Sequence, residues 1–287
     1  MLGKKYLIAN GCSFTEGHHL GNDGSWAKFL GEKLNLEVIN LGKGGSGNDS
    51  INWRTIEYSE IYKDIAKDSL YVIQLTECLR YQIYFDDFVN NPIEWQVTPM
   101  CFIKGMDWNK NGNNVQSWIY KNKEELVYIY SNITFALYKT LQNIISLISY
   151  FESNGYPYII FDGINDHKPF EHNGSLYLKE SYTDNINEEF KVKTKKDVDI
   201  NNIKQTYIDR WNGYFIHENL VENIFSNKKV FKEIPTMMKF VMELGLKNHK
   251  DSEYYFRENG GHPNIEAADQ WANVLKNYIE EIFGKSE

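Results

Sequence analysis

The chain has 287 residues, 42% hydrophobic and 15% aromatic, enough to bury a sizeable core in one large domain or two small ones. A formal net charge of -8 and a pI near 5.5 exclude a general binder of nucleic acid or anionic membrane, because such partners are themselves negative. Three cysteines, Cys12, Cys78 and Cys101, make neither an even disulfide set nor a CxxC zinc pattern, so they are expected to be free thiols in a reducing compartment.

In chain order, Lys4 and Lys5 precede only a four-residue apolar run, Tyr6 to Ala9. That run is too short for a signal peptide and suits a buried strand. No stretch approaches the ~18 apolar residues of a membrane span, so the expected location is the cytoplasm. Trp26, Phe29, Leu30 and Leu34 recur at helical spacing and predict a helix over about 24–34. LEVINL, residues 36–41, predicts a second strand, and the glycine-rich GKGGSGND, residues 42–49, follows it. A helix with Ile51, Ile56 and Ile61 in its stripe comes next. LYVIQL, residues 70–75, has the continuous apolar character of a strand covered on both faces.

Residues 81–121 are aromatic and irregular. Ile129, Ile133, Leu137, Leu141, Ile144 and Ile148 then mark a long amphipathic helix, and YIIF, residues 158–161, a fourth strand. Residues 163–232 are polar and weakly patterned, and helices are expected over 235–246 and 264–283. Strands alternating with helices predict a three-layer α/β/α sandwich around a central parallel sheet, flavodoxin-like in architecture. The simplest organisation is a single domain over 1–287 with insertions at about 81–121 and 163–232.

In an open parallel sheet, ligands sit at the carboxyl ends of the strands. GCSFTEG (11–17), GKGGSGND (42–49) and TECLR (76–80) leave three such ends and should gather at one edge. Far along the chain, ENGGHPN (258–264) places His262 before Pro263 and a helix start. Ser13 by itself fits a helix-capping turn. With a histidine held beside it to take its proton it becomes a nucleophile, and the oxyanion formed on attack needs preorganised N–H donors. Ser13 and Gly45 are positioned to offer such donors. Asn48 and Asp49 fit helix caps as well as a pocket wall. His18 and His19 fit the pocket mouth.

This ordered set resembles the SGNH/GDSL hydrolase family. GCSFTEG is similar to that family's first block at Gly11, Ser13, Thr15 and Gly17. NLGKGG is similar to its second, and Asn259-Gly-Gly-His262-Pro263 to its last. The resemblance implies Ser13 as nucleophile, His262 as base with Asn259 at the orienting position, and Gly45 as an oxyanion donor. It implies Thr76, Glu77, Arg80 and Asn48 as further oxyanion or substrate-binding residues. A looser subgroup, common in phage and bacterial proteins, has a similar GCSxT…T…R pattern, and this chain resembles it.

Two departures stand out. Asn259 replaces the usual aspartate, a change that costs roughly 10⁴ in serine proteases through the wrong histidine tautomer. LTECLR also carries no third-block asparagine, leaving Thr76 as a hydroxyl substitute. The implied function is a serine esterase acting on a short acyl ester or an O-acetylated carbohydrate, without cofactor or metal, nucleic acid or membrane span. The alternatives are a catalytically weak SGNH-fold module that binds glycan or serves in a phage particle, and an O-acyltransferase using the same serine. The loose group Asp162, Asp166, His167, Glu171 and His172 has no metal-ligand spacing and is expected in a solvated loop. The rings of Tyr81, Tyr84, Phe85, Trp95, Trp108 and Trp118 fit a small core of the first insertion or a sugar-stacking wall.

Overall fold

The computed structural model describes residues 3–18, 20–77, 80–85, 93–97, 133–164, 169–172, 175–178, 227–230, 236–247 and 262–284. Two compact units divide the chain. Met1–Ile164 with Glu233–Glu287 forms the first, and Asn165–Lys232 the second.

In the first unit, β1 (Tyr6–Asn10) leads through the short helix α1 (Ser13–Glu16) and α2 (Trp26–Leu34) to β2 (Glu37–Asn40). From there α3 (Asn48–Ile61) and α4 (Lys63–Lys67) return the chain to β3 (Ser69–Leu75). A hairpin of β4 (Tyr81–Phe85) and β5 (Ile93–Val97) follows, then α5 (Ile133–Asn154) and β6 (Tyr158–Asp162). The unit ends with α6 (Met237–Lys247) and α7 (Ile265–Phe283). In the second unit β7 (Pro169–His172) and β8 (Ser175–Leu178) pair antiparallel.

The central sheet has the order β2-β1-β3-β6, parallel throughout. Side chains alternate across it, so each strand feeds two layers. Leu7, Ala9, Leu70, Val72, Ile159 and Phe161 face a core completed by α2, α6 and α7. The opposite face carries Asn10, whose amide donates to Ile51 O and Thr55 Oγ1 of α3, and Tyr71, whose ring meets Phe151 of α5. The architecture is therefore the expected α/β/α sandwich with a parallel sheet. The chain steps from β1 to β2 in one direction and from β2 past β1 to β3 in the other. Right-handed crossovers then place α2 on one face and α3 on the other. The reversal opens a crevice between the carboxyl ends of β1 and β3.

Two expectations need correction. The stretch 81–121, expected to be irregular, contains the β4–β5 hairpin, with Tyr81 opposite Val97 and Phe85 opposite Ile93. The α3 stripe is also different, since Ile61 is 65% exposed and the buried face is Asn48, Ser50, Ile51, Thr55 and Ser59. Steps of five residues advance about 140° around a helix, so Ile51, Ile56 and Ile61 cannot share one face. Four-residue steps through small polar residues can, and their hydroxyls bond back to helix carbonyls, Thr55 to Ile51 O and Ser59 to Thr55 O.

Candidate active site

β1 ends at Asn10, and the chain turns sharply through Gly11 and Cys12 into α1. A Cβ on Gly11 would lie 2.2 Å from Thr15 Oγ1 and 2.8 Å from Gln74 Cβ, so only glycine lets the turn close against β3. Cys12 is the extended N-cap, and Ser13 is the first helical residue, 7% exposed. At that position the backbone N–H has no acceptor within the helix. Gln74 braces the turn from β3, accepting from Thr15 Oγ1 and donating to Cys12 Sγ at 3.2 Å.

The loop after β2 closes on the same helix. Asn40 donates to Thr15 O at 2.7 Å and accepts from Gly42 N at 2.9 Å. Lys43 N donates to Gly11 O at 3.2 Å, and Ser46 N to Lys43 O at 3.1 Å. Gly45, third residue of that Lys43–Ser46 turn, has φ +73°, a conformation glycine adopts without steric cost. The two glycine-bearing loops thus lie side by side above β1.

His262 arrives from the other end of the chain. Asn264 caps α7 by accepting from Ala267 N at 2.9 Å, and Pro263 is buried just before it. His262 Nε2 lies 2.8 Å from Ser13 Oγ. The Phe14 ring meets the imidazole edge-on at 5.5 Å, and the His18 ring lies 4.8 Å away, tilted by 49°. Glu16 Oε2 sits 3.4 Å from His18 Nδ1. A serine hydroxyl at this distance from an imidazole nitrogen can give up its proton as the oxygen attacks a carbonyl carbon.

The remaining candidate residues divide. Asn48 is 3% exposed and clamps the end of β3, accepting from Thr76 N at 2.9 Å and donating to Thr76 O at 3.1 Å. It also donates to Thr140 Oγ1 of α5 at 3.3 Å. Gly47 holds the N-cap position of α3, and Asn48 is the first helical residue. Asp49 pairs with Lys139 and accepts from Asn143 Nδ2 at 2.7 Å. Thr76 is fully buried, and its Oγ1 has no hydrogen-bond partner among the described residues. Arg80 Nε donates to Glu77 Oε2 at 2.7 Å. A Cβ on Gly47 would lie 2.5 Å from Arg80 O, so that residue's backbone abuts the glycine loop. Asp162 is buried at the end of β6. Asn259, His19, Cys78, Cys101, Asp166, His167, Trp108 and Trp118 lie outside the described residues.

Periodicity missed the polar braces Gln74, Asn40, Asn10 and Arg54. For Asn10 and Asn40 the usable signal was a polar residue at the last position of an apolar strand, as in YLIAN and EVIN, where a side chain turns from core to site. Among the described residues no His/Cys/Asp/Glu group could hold a metal ion, and no helix is long and apolar enough to cross a membrane.

No family model and no curated protein matches the sequence. Solved structures that resemble it are lipolytic proteins of the G-D-S-L family and esterases. The psychrotrophic esterase EstA from Pseudoalteromonas sp. is 10% identical over 98% of this chain and 100% of its own, with a TM-score of 0.47. A member of the lipolytic G-D-S-L family from Veillonella parvula is 11% identical over 98% and 100%, with a TM-score of 0.39. A family two carbohydrate esterase from Clostridium thermocellum is 12% identical over 98% and 65%, with a TM-score of 0.40.

Proposed function

We propose that the chain is a serine ester hydrolase of the SGNH type, acting on small acyl esters with O-acetylated carbohydrate as the natural class. The observation that carries this reading is the 2.8 Å contact between Ser13 Oγ and His262 Nε2, residues from opposite ends of the sequence. Ser13 attacks the acyl carbon while His262 takes the hydroxyl proton. His262 then returns that proton to the leaving alkoxide, and the acyl group stays on Ser13. Water, deprotonated by His262, releases the acid in the second half. The N–H groups of Ser13 and Gly45 stabilise the oxyanion of each tetrahedral intermediate. The resemblance gives Asn259 the orienting role toward His262, and Thr76, Glu77, Arg80 and Asn48 the adjoining wall. Support for a carbohydrate ester is the aromatic content of residues 81–121 together with the family resemblance of the three blocks.

The test is hydrolysis of p-nitrophenyl acetate by wild type and Ser13→Ala, with labelling by a serine-reactive phosphonate. Activity and label that both vanish on substitution are expected. Equal rates in the two proteins would overturn the reading. A wild type inert to ester and phosphonate would favour the binding-module alternative. Acyl transfer to an added sugar hydroxyl in place of water would identify the transferase.

A further inference from the structure

Arg54 lies on α3, one helical turn beyond Ser50, and its guanidinium reaches back beneath the site. Nη1 donates to Ser50 Oγ at 2.9 Å, and Nη2 donates to Ser46 Oγ at 2.6 Å. Nη2 also lies 3.5 Å from Gly11 O and 3.4 Å from Asn10 Oδ1. Ser46 directly follows Gly45, and Gly11 stands two residues before Ser13. Ser46 and Asn10 are both fully buried, so these anchors have little room to shift. Ser46 Oγ also donates to Lys43 O at 2.8 Å, closing the turn that presents Gly45. One planar guanidinium therefore contacts both loops at their inner ends. Both loop contacts come from the single nitrogen Nη2, and Nη1, held by Ser50 Oγ of the same helix, fixes where that nitrogen sits, an orientation a lysine ammonium lacks.

We propose that Arg54 is a positioning residue for the oxyanion site: it sets the spacing between the Ser13 loop and the Gly45 loop, and hence between the two N–H donors. This role rests on the hydrolase reading above. Donors of this kind act only when both meet the oxygen at hydrogen-bond distance in the transition state. Loosening one loop against the other should therefore lower kcat and leave KM almost unchanged.

The experiment measures kcat and KM for p-nitrophenyl acetate, the rate of phosphonate labelling at Ser13, and the melting temperature. The proteins are wild type, Arg54→Met, Arg54→Lys, Ser46→Ala and the double variant Arg54→Met/Ser46→Ala. Arg54→Met is expected to lose about 10- to 100-fold in kcat and in labelling rate, with KM within about twofold. Arg54→Lys should recover part of that loss. The double variant should lose less than the product of the two single losses, because both changes cut the Arg54–Ser46 tether and only the Ser46 Oγ–Lys43 O bond is removed in addition. Wild-type kcat in Arg54→Met, a loss confined to KM, or losses that multiply in the double variant would each overturn the role. Should Arg54→Met fail to fold, Arg54→Lys decides: full wild-type kcat and labelling there overturns the role, and a several-fold loss in both supports it. A wild type inert to ester and phosphonate removes the hydrolase reading and this role together. A reactive wild type with an equally reactive Arg54→Met removes this role alone.

Discussion

Ser13 and His262 act as one unit in the proposed chemistry, so their removal should not be additive. Ser13→Ala and His262→Ala are each expected to cost roughly 10³-fold or more in kcat, and the double variant about as much as either alone. Multiplying losses, measured on p-nitrophenyl acetate, would mean that the two side chains work separately. Thr76 makes the opposite kind of case. Its hydroxyl is buried with no partner among the described residues, and such a group costs about 1–3 kcal/mol. Thr76→Val keeps the shape, so its melting temperature should rise, whereas a fall would reveal a partner the hydroxyl depends on. At this scale the ordered blocks singled out Ser13, Gly45 and His262, of which the structure brings Ser13 and His262 into contact. Nothing in the sequence pointed to Arg54, because a charged residue six positions into a helix resembles any solvated side chain until the loops above it are placed.

Helices and strands carry their own consequences. Gly31 lies inside α2, where alanine would ordinarily add about 1 kcal/mol of stability. Here a Cβ would lie 2.1 Å from Val38 Cγ2 of β2 and 3.0 Å from Leu36 O. Gly31→Ala should therefore destabilise by about 1–3 kcal/mol, read as a lower urea midpoint; a higher midpoint would mean that α2 stands off the sheet.

Between α3, β3 and α5, Tyr71 donates to or accepts from Ser59 Oγ at 2.8 Å and stacks near Phe151 and Tyr156. Burial pushes its phenol well above the usual value, and burial likewise raises Tyr58, Tyr150 and Tyr156. Above about pH 10 the unfolded chain releases phenolic protons that the folded chain retains. Stability is thus complete below that pH and falls as pH rises further. Urea titrations at pH 8 and pH 11 should show a smaller drop for Tyr71→Phe than for wild type, and parallel drops would refute the assignment. The buried strands were legible because apolar runs announce themselves. The inner face of α3 was not, because Ser, Thr and Asn carry no hydrophobic period although they are the residues that pack there.

Across the whole first unit, α7 joins core to site. Trp271 is fully buried against Phe161 of β6 and Phe240 of α6, and Lys33 of α2 reaches Asp269 at 2.7 Å. His262 precedes the same helix by three residues. Trp271→Ala should cost about 3–5 kcal/mol, a large part of the 5–15 kcal/mol typical of a domain. If the proposed hydrolysis is found, its loss on heating should then track loss of near-ultraviolet dichroism. Activity that disappears many degrees earlier would mean that His262 detaches while the core stays intact.

The partnership of Ser13 and His262 spans 249 positions of sequence. At a synthesis rate of about 5–20 residues per second, the ribosome makes the histidine roughly 12–50 s after the serine. Through that interval Ser13 sits on a growing chain without the His262 imidazole that the proposed chemistry uses to take its proton. A nascent chain stalled before residue 262 would therefore carry an unreactive hydroxyl. Under the proposed chemistry, covalent capture by a phosphonate would report that His262 has been made and α7 has docked, and would ignore products that stop short of that histidine.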